Sequence, residues 1–272
     1  NYPGTYIAGV YNRLSSQLGG REVQNEDMVN CTNWLPMTFR IDGGDWLDPN
    51  EAKLLEFRRR LDFRSGVLHR TMRVIDSEGR ETRVESWRVA SMADPHMAAL
   101  RYTVTPENYA GRVSVRSSLD GDVVNGGVAR YQSLANRHLE PVTAGFDGNT
   151  SWVAVRTNES GVEIATAAHV SASLDGIAIT PKVRAEANDP AVHSVVEVAV
   201  SQGQPLAVDK VVAIFTTRDK SEPLPSARTW ATGASFYGVL SASEQAWRAI
   251  WDRIDIELVG DRLSQKLLRL HL

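Results

Sequence analysis

Asp120 and Asp122, in the string Ser118-Leu-Asp-Gly-Asp122, form a close carboxylate pair of the sort that sugar hydrolysis uses. Such chemistry places an acid and a base or nucleophile about 5 to 9.5 Å apart, on opposite sides of the scissile bond and usually on different elements. Two neighbours on one loop are poorly placed for it. The string favours the competing reading, a turn in which Asp accepts local backbone hydrogen bonds. Asp42, Asp45 and Asp48 recur every third residue and resemble an acidic ion site. A calcium loop, however, needs oxygen ligands at alternate residues and a later Glu, so a solvated turn around Gly43-Gly44 is the reading preferred. Asp94-Pro95-His96 sets an acid beside an imidazole, but proline there marks a rigid loop between two strands. His69 and His169 fall within strand patterns and read as structural. A Cys pair, His-x-x-x-His and Gly-x-Ser-x-Gly are all missing from the sequence. No catalytic or metal-binding residue is assigned.

Indole rings are the other carbohydrate signal, because sugars stack their apolar faces on them. Trp87 and Trp152 lie in alternating strands and read as core, whereas Trp34 and Trp46 sit in loops flanked by Pro or Gly. Trp34, Trp46, Asp120 and Asp122 are therefore the candidates for contact with a carbohydrate or a neighbouring domain.

Those residues need a frame. From Thr5 to Thr217 the pattern is period-2 alternation broken by turns, as in Leu68/Arg70/Met72/Val74, Val84/Ser86/Arg88, Leu100/Tyr102/Val104 and the run from Leu206 to Phe215. Turn signals stand at Asp76 to Gly79, Glu107 to Gly111, Asp175-Gly176 and Asn188 to Pro190. About a dozen strands at roughly ten-residue spacing predict a mainly β fold, a large antiparallel sandwich of two sheets. Glu222 to Ser226 reads as a connector. Ser241 to Glu244 reads as a capping box ahead of a helix over about 243–256, with Trp247, Ile250, Trp251, Ile254 and Leu258 on one face. A second helix is expected from about 262, carrying Leu263, Leu267 and Leu270. The expected division is a sandwich domain over 1–230 and linker helices over 231–272, and the chain reads as the front piece of something longer.

Composition narrows the function classes. With 272 residues, 42% of them hydrophobic, the chain can bury a large core. The net charge of -3 gives no basic field for nucleic acid; the dense cluster Arg58-Arg59-Arg60 lies in a strand-like stretch. No apolar run approaches the roughly 20 residues that span a bilayer. The lone Cys31 favours a reducing compartment, so the cytoplasm is the expected location.

Specific strings go further. Pro3-Gly-Thr-Tyr-Ile-Ala-Gly-Val-Tyr-Asn12, Val29-Asn-Cys-Thr-Asn-Trp-Leu-Pro36 and Leu61-Asp-Phe-Arg-Ser-Gly-Val-Leu-His-Arg70 stand in this order. Ser91 to His96, Leu119 to Asp122 with Asn125, and Trp251 to Asp261 leading into Gln265 follow them. Together they resemble the N-terminal domain of glycoside hydrolase family 65, which holds maltose, trehalose and kojibiose phosphorylases and related trehalases. Cys31-Thr32 departs from the Leu-Pro that the family more often has before Asn-Trp. The resemblance implies a super-sandwich like that of galactose mutarotase, joined through helices to an (α/α)6 barrel. In the barrel a glutamate acts as general acid, and inorganic phosphate or water attacks an α-glucoside disaccharide with inversion. None of the family's catalytic positions maps onto residues 1–272. What the resemblance leaves to this domain is support of the barrel and of subunit contacts in a homo-oligomer, without a cofactor beyond phosphate as co-substrate. A free-standing carbohydrate-binding module or an interaction scaffold is the alternative.

Overall fold

The computed structural model describes residues 4–126, 134–188 and 191–271. Asn1 to Pro3, the turn expected at Asp189-Pro190 and Leu272 lie outside the described residues. Fifteen described strands pair antiparallel throughout. In chain order they are β1 (Tyr6–Leu18), β2 (Arg21–Asn30), β3 (Met37–Ile41), β4 (Lys53–Asp62), β5 (Val67–Ile75), β6 (Glu81–Ala90), β7 (Met97–Pro106) and β8 (Gly111–Asp120). After them come β9 (Leu139–Asp147), β10 (Thr150–Thr157), β11 (Glu163–Leu174), β12 (Ile177–Ile179), β13 (Val183–Asn188), β14 (Ala191–Val200) and β15 (Leu206–Thr216). Three helices close the chain: α1 (Pro223–Gly233), α2 (Phe236–Ile254) and α3 (Arg262–His271).

The expected sandwich is present, but its two sheets are unequal. The larger runs β4-β5-β6-β7-β15-β11-β10-β9, with β12 beside β11, and the smaller runs β13-β14-β8-β3. Alternation sends Leu100, Tyr102, Val104, Val208 and Val212 of the large sheet inward, where they meet Val113, Val115, Leu119, Val192 and Val196 of the small one. The hairpin β1-β2 forms a third, two-stranded layer. It buries Val10, Leu14 and Val29 and is tied down by Asn12, which donates to Asn158 Oδ1 at 2.8 Å and accepts from Ser160 N at 2.8 Å. The expected turn at Asp175-Gly176 is a tight hairpin with φ of 50° and 78°, which Asp tolerates and Gly favours.

The outer face of the large sheet carries a second core. Ala99, Ala165, Ala167 and Ala213 are too small to hold helices off the sheet, so Ala227, Ala231, Phe236, Val239 and Leu240 of α1 and α2 close onto them. This is why β7, β11 and β15 read as nearly continuous apolar runs: both of their faces are covered. Arg101 locks the junction, donating to both Asp209 oxygens at 2.6 Å while its guanidinium lies over the rings of Phe236 and Tyr237.

The helical region differs from expectation at its start. The stretch expected as a connector is the first turn of α1, where Pro223 takes the N1 position, whose N–H would have no acceptor within the helix. Residue 230, the expected end of the sandwich domain, therefore lies inside a helix that rests on the sheet. The N-cap of α2 is Ser235, whose hydroxyl accepts from Gly238 N at 3.1 Å; Ser241 and Glu244 are exposed one to two turns into the helix. Leu258 lies beyond the end of α2 and is exposed.

Candidate functional site

Asp120 ends β8, and its backbone forms a bridge with Asn33: Asn33 N donates to Asp120 O at 2.8 Å and Asp120 N to Asn33 O at 3.0 Å. Its carboxylate accepts from Asp122 N at 2.9 Å. That is a local turn. Asp122 points outward and pairs with Arg137. The two carboxylates are thus occupied in shaping and pinning one loop.

The bridge to Asn33 also fixes Trp34, and here the structure corrects the sequence reading. Trp34 is 6% exposed and part of the inner core, so it offers no ring to a sugar. Its carbonyl accepts from Lys210 Nζ at 2.6 Å, and Ser118 O accepts from the same ammonium at 2.7 Å. Lys210 stands on the inner face of β15 and is fully buried. Burial pushes its pKa down to about 7, with Arg88 adding like-charge repulsion. The loop that looked accessible is held inward because a buried cation draws its carbonyl.

Trp46 remains half-buried in the loop between β3 and β4. Its indole lies against two guanidiniums, Arg40 and Arg116, each 4.5 Å from the ring centroid, on the outer face of the small sheet. The loop is anchored on both sides: Leu47 N donates to Phe39 O at 2.9 Å and Thr38 Oγ1 to Leu47 O at 2.7 Å. Beside it is a recess of about 560 Å³ bounded by Trp46, Asp48, Lys53, Asp76, Arg80 and Thr82 among others. Asp42 and Asp48 of the expected turn serve backbone hydrogen bonds. Asp42 accepts from Arg112 N at 2.7 Å, and Asp48 accepts from Asn50 N at 2.8 Å.

The histidines are structural as well. His96 stacks on Phe215 at 4.0 Å and donates from Nδ1 to Ile214 O at 2.9 Å, while Asp94 accepts from His96 N at 2.9 Å. His169 bonds Thr150 Oγ1 at 2.9 Å. His69 meets Trp87 edge-on, and Trp87, which alternation placed in the core, is 40% exposed on the outer face of β6. Trp152 is half-buried beneath the Arg228 guanidinium at 4.0 Å.

The sheets, hairpin and helices arranged in this order have counterparts among known proteins. A family model described as the N-terminal domain of glycosyl hydrolase family 65 matches residues 1–250. The chain belongs to glycosyl hydrolase family 65. An uncharacterized glycosyl hydrolase of Mycobacterium tuberculosis is 35% identical over 275 residues, covering 100% of this chain and 21% of that protein. Kojibiose phosphorylase of Thermoanaerobacter brockii is 26% identical, covering 99% of this chain and 35% of the relative. A solved structure of a putative kojibiose phosphorylase from the human microbiome superposes with a TM-score of 0.81 at 17% identity, over 98% of this chain and 34% of that one. The family 65 chain described here therefore spans about a fifth to a third of the length of these relatives.

Proposed function

We propose that this family 65 domain is the non-catalytic sandwich of an inverting α-glucoside phosphorylase or hydrolase, acting on a disaccharide of the kojibiose, trehalose or maltose type. Its work is architectural: it supports a catalytic barrel and subunit contacts in a cytoplasmic homo-oligomer. Phosphate, if the enzyme is a phosphorylase, is a co-substrate and no other cofactor is required. In this reading the sandwich, with α1 and α2 packed on it, is followed by a stretch that leads toward the barrel.

The carrying observation is the tail. Leu263, Leu267 and Leu270 of α3 are 66%, 49% and 54% exposed, an apolar stripe left open among the described residues. Kojibiose phosphorylase as a relative favours phosphorolysis over hydrolysis. A sugar-binding module in its own right is disfavoured, since Trp34 is buried and Trp46 already lies against two guanidiniums. The test is a sensitive assay for glucose and glucose 1-phosphate with the purified chain 1–272 and kojibiose, trehalose or maltose. No turnover is expected, because Asp120 and Asp122 share one turn. Turnover that disappeared in Asp120→Asn or Asp122→Asn would move the active site into the sandwich.

A further inference from the structure

The small sheet is narrower than the large one: β4 is exposed along nearly its whole length, and on the inner face of β5 and β6 Met72, Val74 and Val84 are buried while Leu68, Arg70 and Arg88 at one end are only half-buried. What lines that face is unusual for a sandwich interior. Register pairs Arg59 with Arg70 across β4 and β5, and Arg70 with Ser86, which in turn faces Tyr102. The next row pairs Leu68 with Arg88, Arg88 with Leu100, and Leu100 with Lys210. Strands stand about 4.8 Å apart, so the three arginines project from adjacent strands onto one patch.

They line a recess of about 650 Å³ whose walls include Ser86, Tyr102 and Asn33 and, among the described residues, no carboxylate. Among the described residues, none of the three guanidiniums forms an ion pair. The Nε atoms of Arg70 and Arg88 are sealed from solvent without a hydrogen-bond partner. Arg88 is held below the ordinary arginine range, first by burial and then by the charges of Arg70 and Arg59. Clustered cations drawn out of water without an opposite charge are costly, and an anion removes that cost by supplying both charge and acceptors.

We infer that this recess binds a small tetrahedral oxyanion of the phosphate class, either inorganic phosphate or the phosphate group of a sugar ester. A dianion with three free oxygens matches three guanidiniums better than a carboxylate, which brings one charge and two oxygens. The volume exceeds what bare phosphate needs and leaves room for an attached sugar. This site stands on its own observations and does not depend on the reading of the domain as a barrel support.

Titration calorimetry and thermal unfolding of the chain 1–272, at ionic strength fixed with chloride, test it. Inorganic phosphate should bind saturably and raise the melting temperature. Arg59→Gln, on the exposed edge strand where folding is not at risk, should weaken binding several-fold, and the double change Arg70→Gln, Arg88→Gln at least tenfold. Arg58→Gln, whose side chain leaves the opposite face of β4, should leave binding unchanged. Glucose 6-phosphate binding more tightly than phosphate would identify the ester as the ligand, equal binding would identify the free ion, and glucose alone should not bind. Absence of a saturable phosphate response, or an equal loss in Arg58→Gln and Arg59→Gln, would overturn the inference.

Discussion

Lys210 donates its two short hydrogen bonds from a position with no exposed surface, and its pKa falls from 10.5 to about 7 because burial penalises the ammonium. Below about pH 7 both folded and unfolded chains carry this proton, and the penalty is fully present. Between 7 and 10.5 the unfolded chain binds more protons, so stability climbs with pH; above 10.5 the penalty is gone. A shift of this size corresponds to a few kcal/mol, at about 1.4 kcal/mol per pKa unit. Lys210→Met should remove that climb, while leaving two buried carbonyls unpaired at about 1 to 3 kcal/mol each. Urea unfolding of both proteins at pH 7 and 9.5 checks it: the difference between them should change with pH, and parallel behaviour would refute the assignment. Little of this was legible beforehand. Alternation put Leu206 to Phe215 in a strand, but it could not reveal that the lysine within it would reach across the sandwich and pull Trp34 out of solvent. The turn at Asp120 was legible, because its carboxylate accepts from Asp122 N within the string itself; the pairing of Asp122 with Arg137 was not.

One element that depends on a single small residue is the hairpin β4-β5 where it meets α2. Gly66 has φ of 66°, and a Cβ there would collide with the Trp247 indole. On the same seat, Trp251 Nε1 donates to Phe63 O at 3.1 Å. Gly66→Ala should therefore cost about 1 to 3 kcal/mol through left-handed strain and steric displacement, and it should loosen α2 more than the sheets. Amide exchange tests this: protection should drop across residues 244 to 254 and hold in β7 and β15. Uniform loss in all elements would mean that the hairpin and helix do not form a separate contact. The sequence located this helix but misplaced its start by about two turns. The stripe Phe236, Val239, Leu240 and Ser243 continues the face of Trp247 and Trp251 backward, and periodicity has no means of choosing between Ser235 and Ser241 as the cap. Likewise Pro-Leu-Pro signals a break in a helix interior but is a permitted beginning, so α1 was hidden in an expected connector.

At the scale of the whole molecule, one run of exposed apolar side chains lies where the chain turns away from its sheets. Val259 is 91% exposed, and Leu263, Leu267 and Leu270 follow it along α3. That short helix is held by Arg269, which donates to Asp255 at 2.6 and 2.8 Å, and by Gln265 Nε2, which donates to Ile256 O at 2.9 Å. These polar ties orient the stripe without covering it. A ten-residue helix is marginal alone, and burying leucine gains about 25 cal/mol per Å², so the isolated domain has reason to pair through this face. Light scattering over a range of concentrations should show association of the chain 1–272. Replacing Leu263, Leu267 and Leu270 with Gln should return it to a monomer while the circular dichroism of the sheets stays unchanged. If the unaltered chain stays monomeric with α3 protected from amide exchange, the stripe needs no cover, and the argument that this face supports a further domain fails with it.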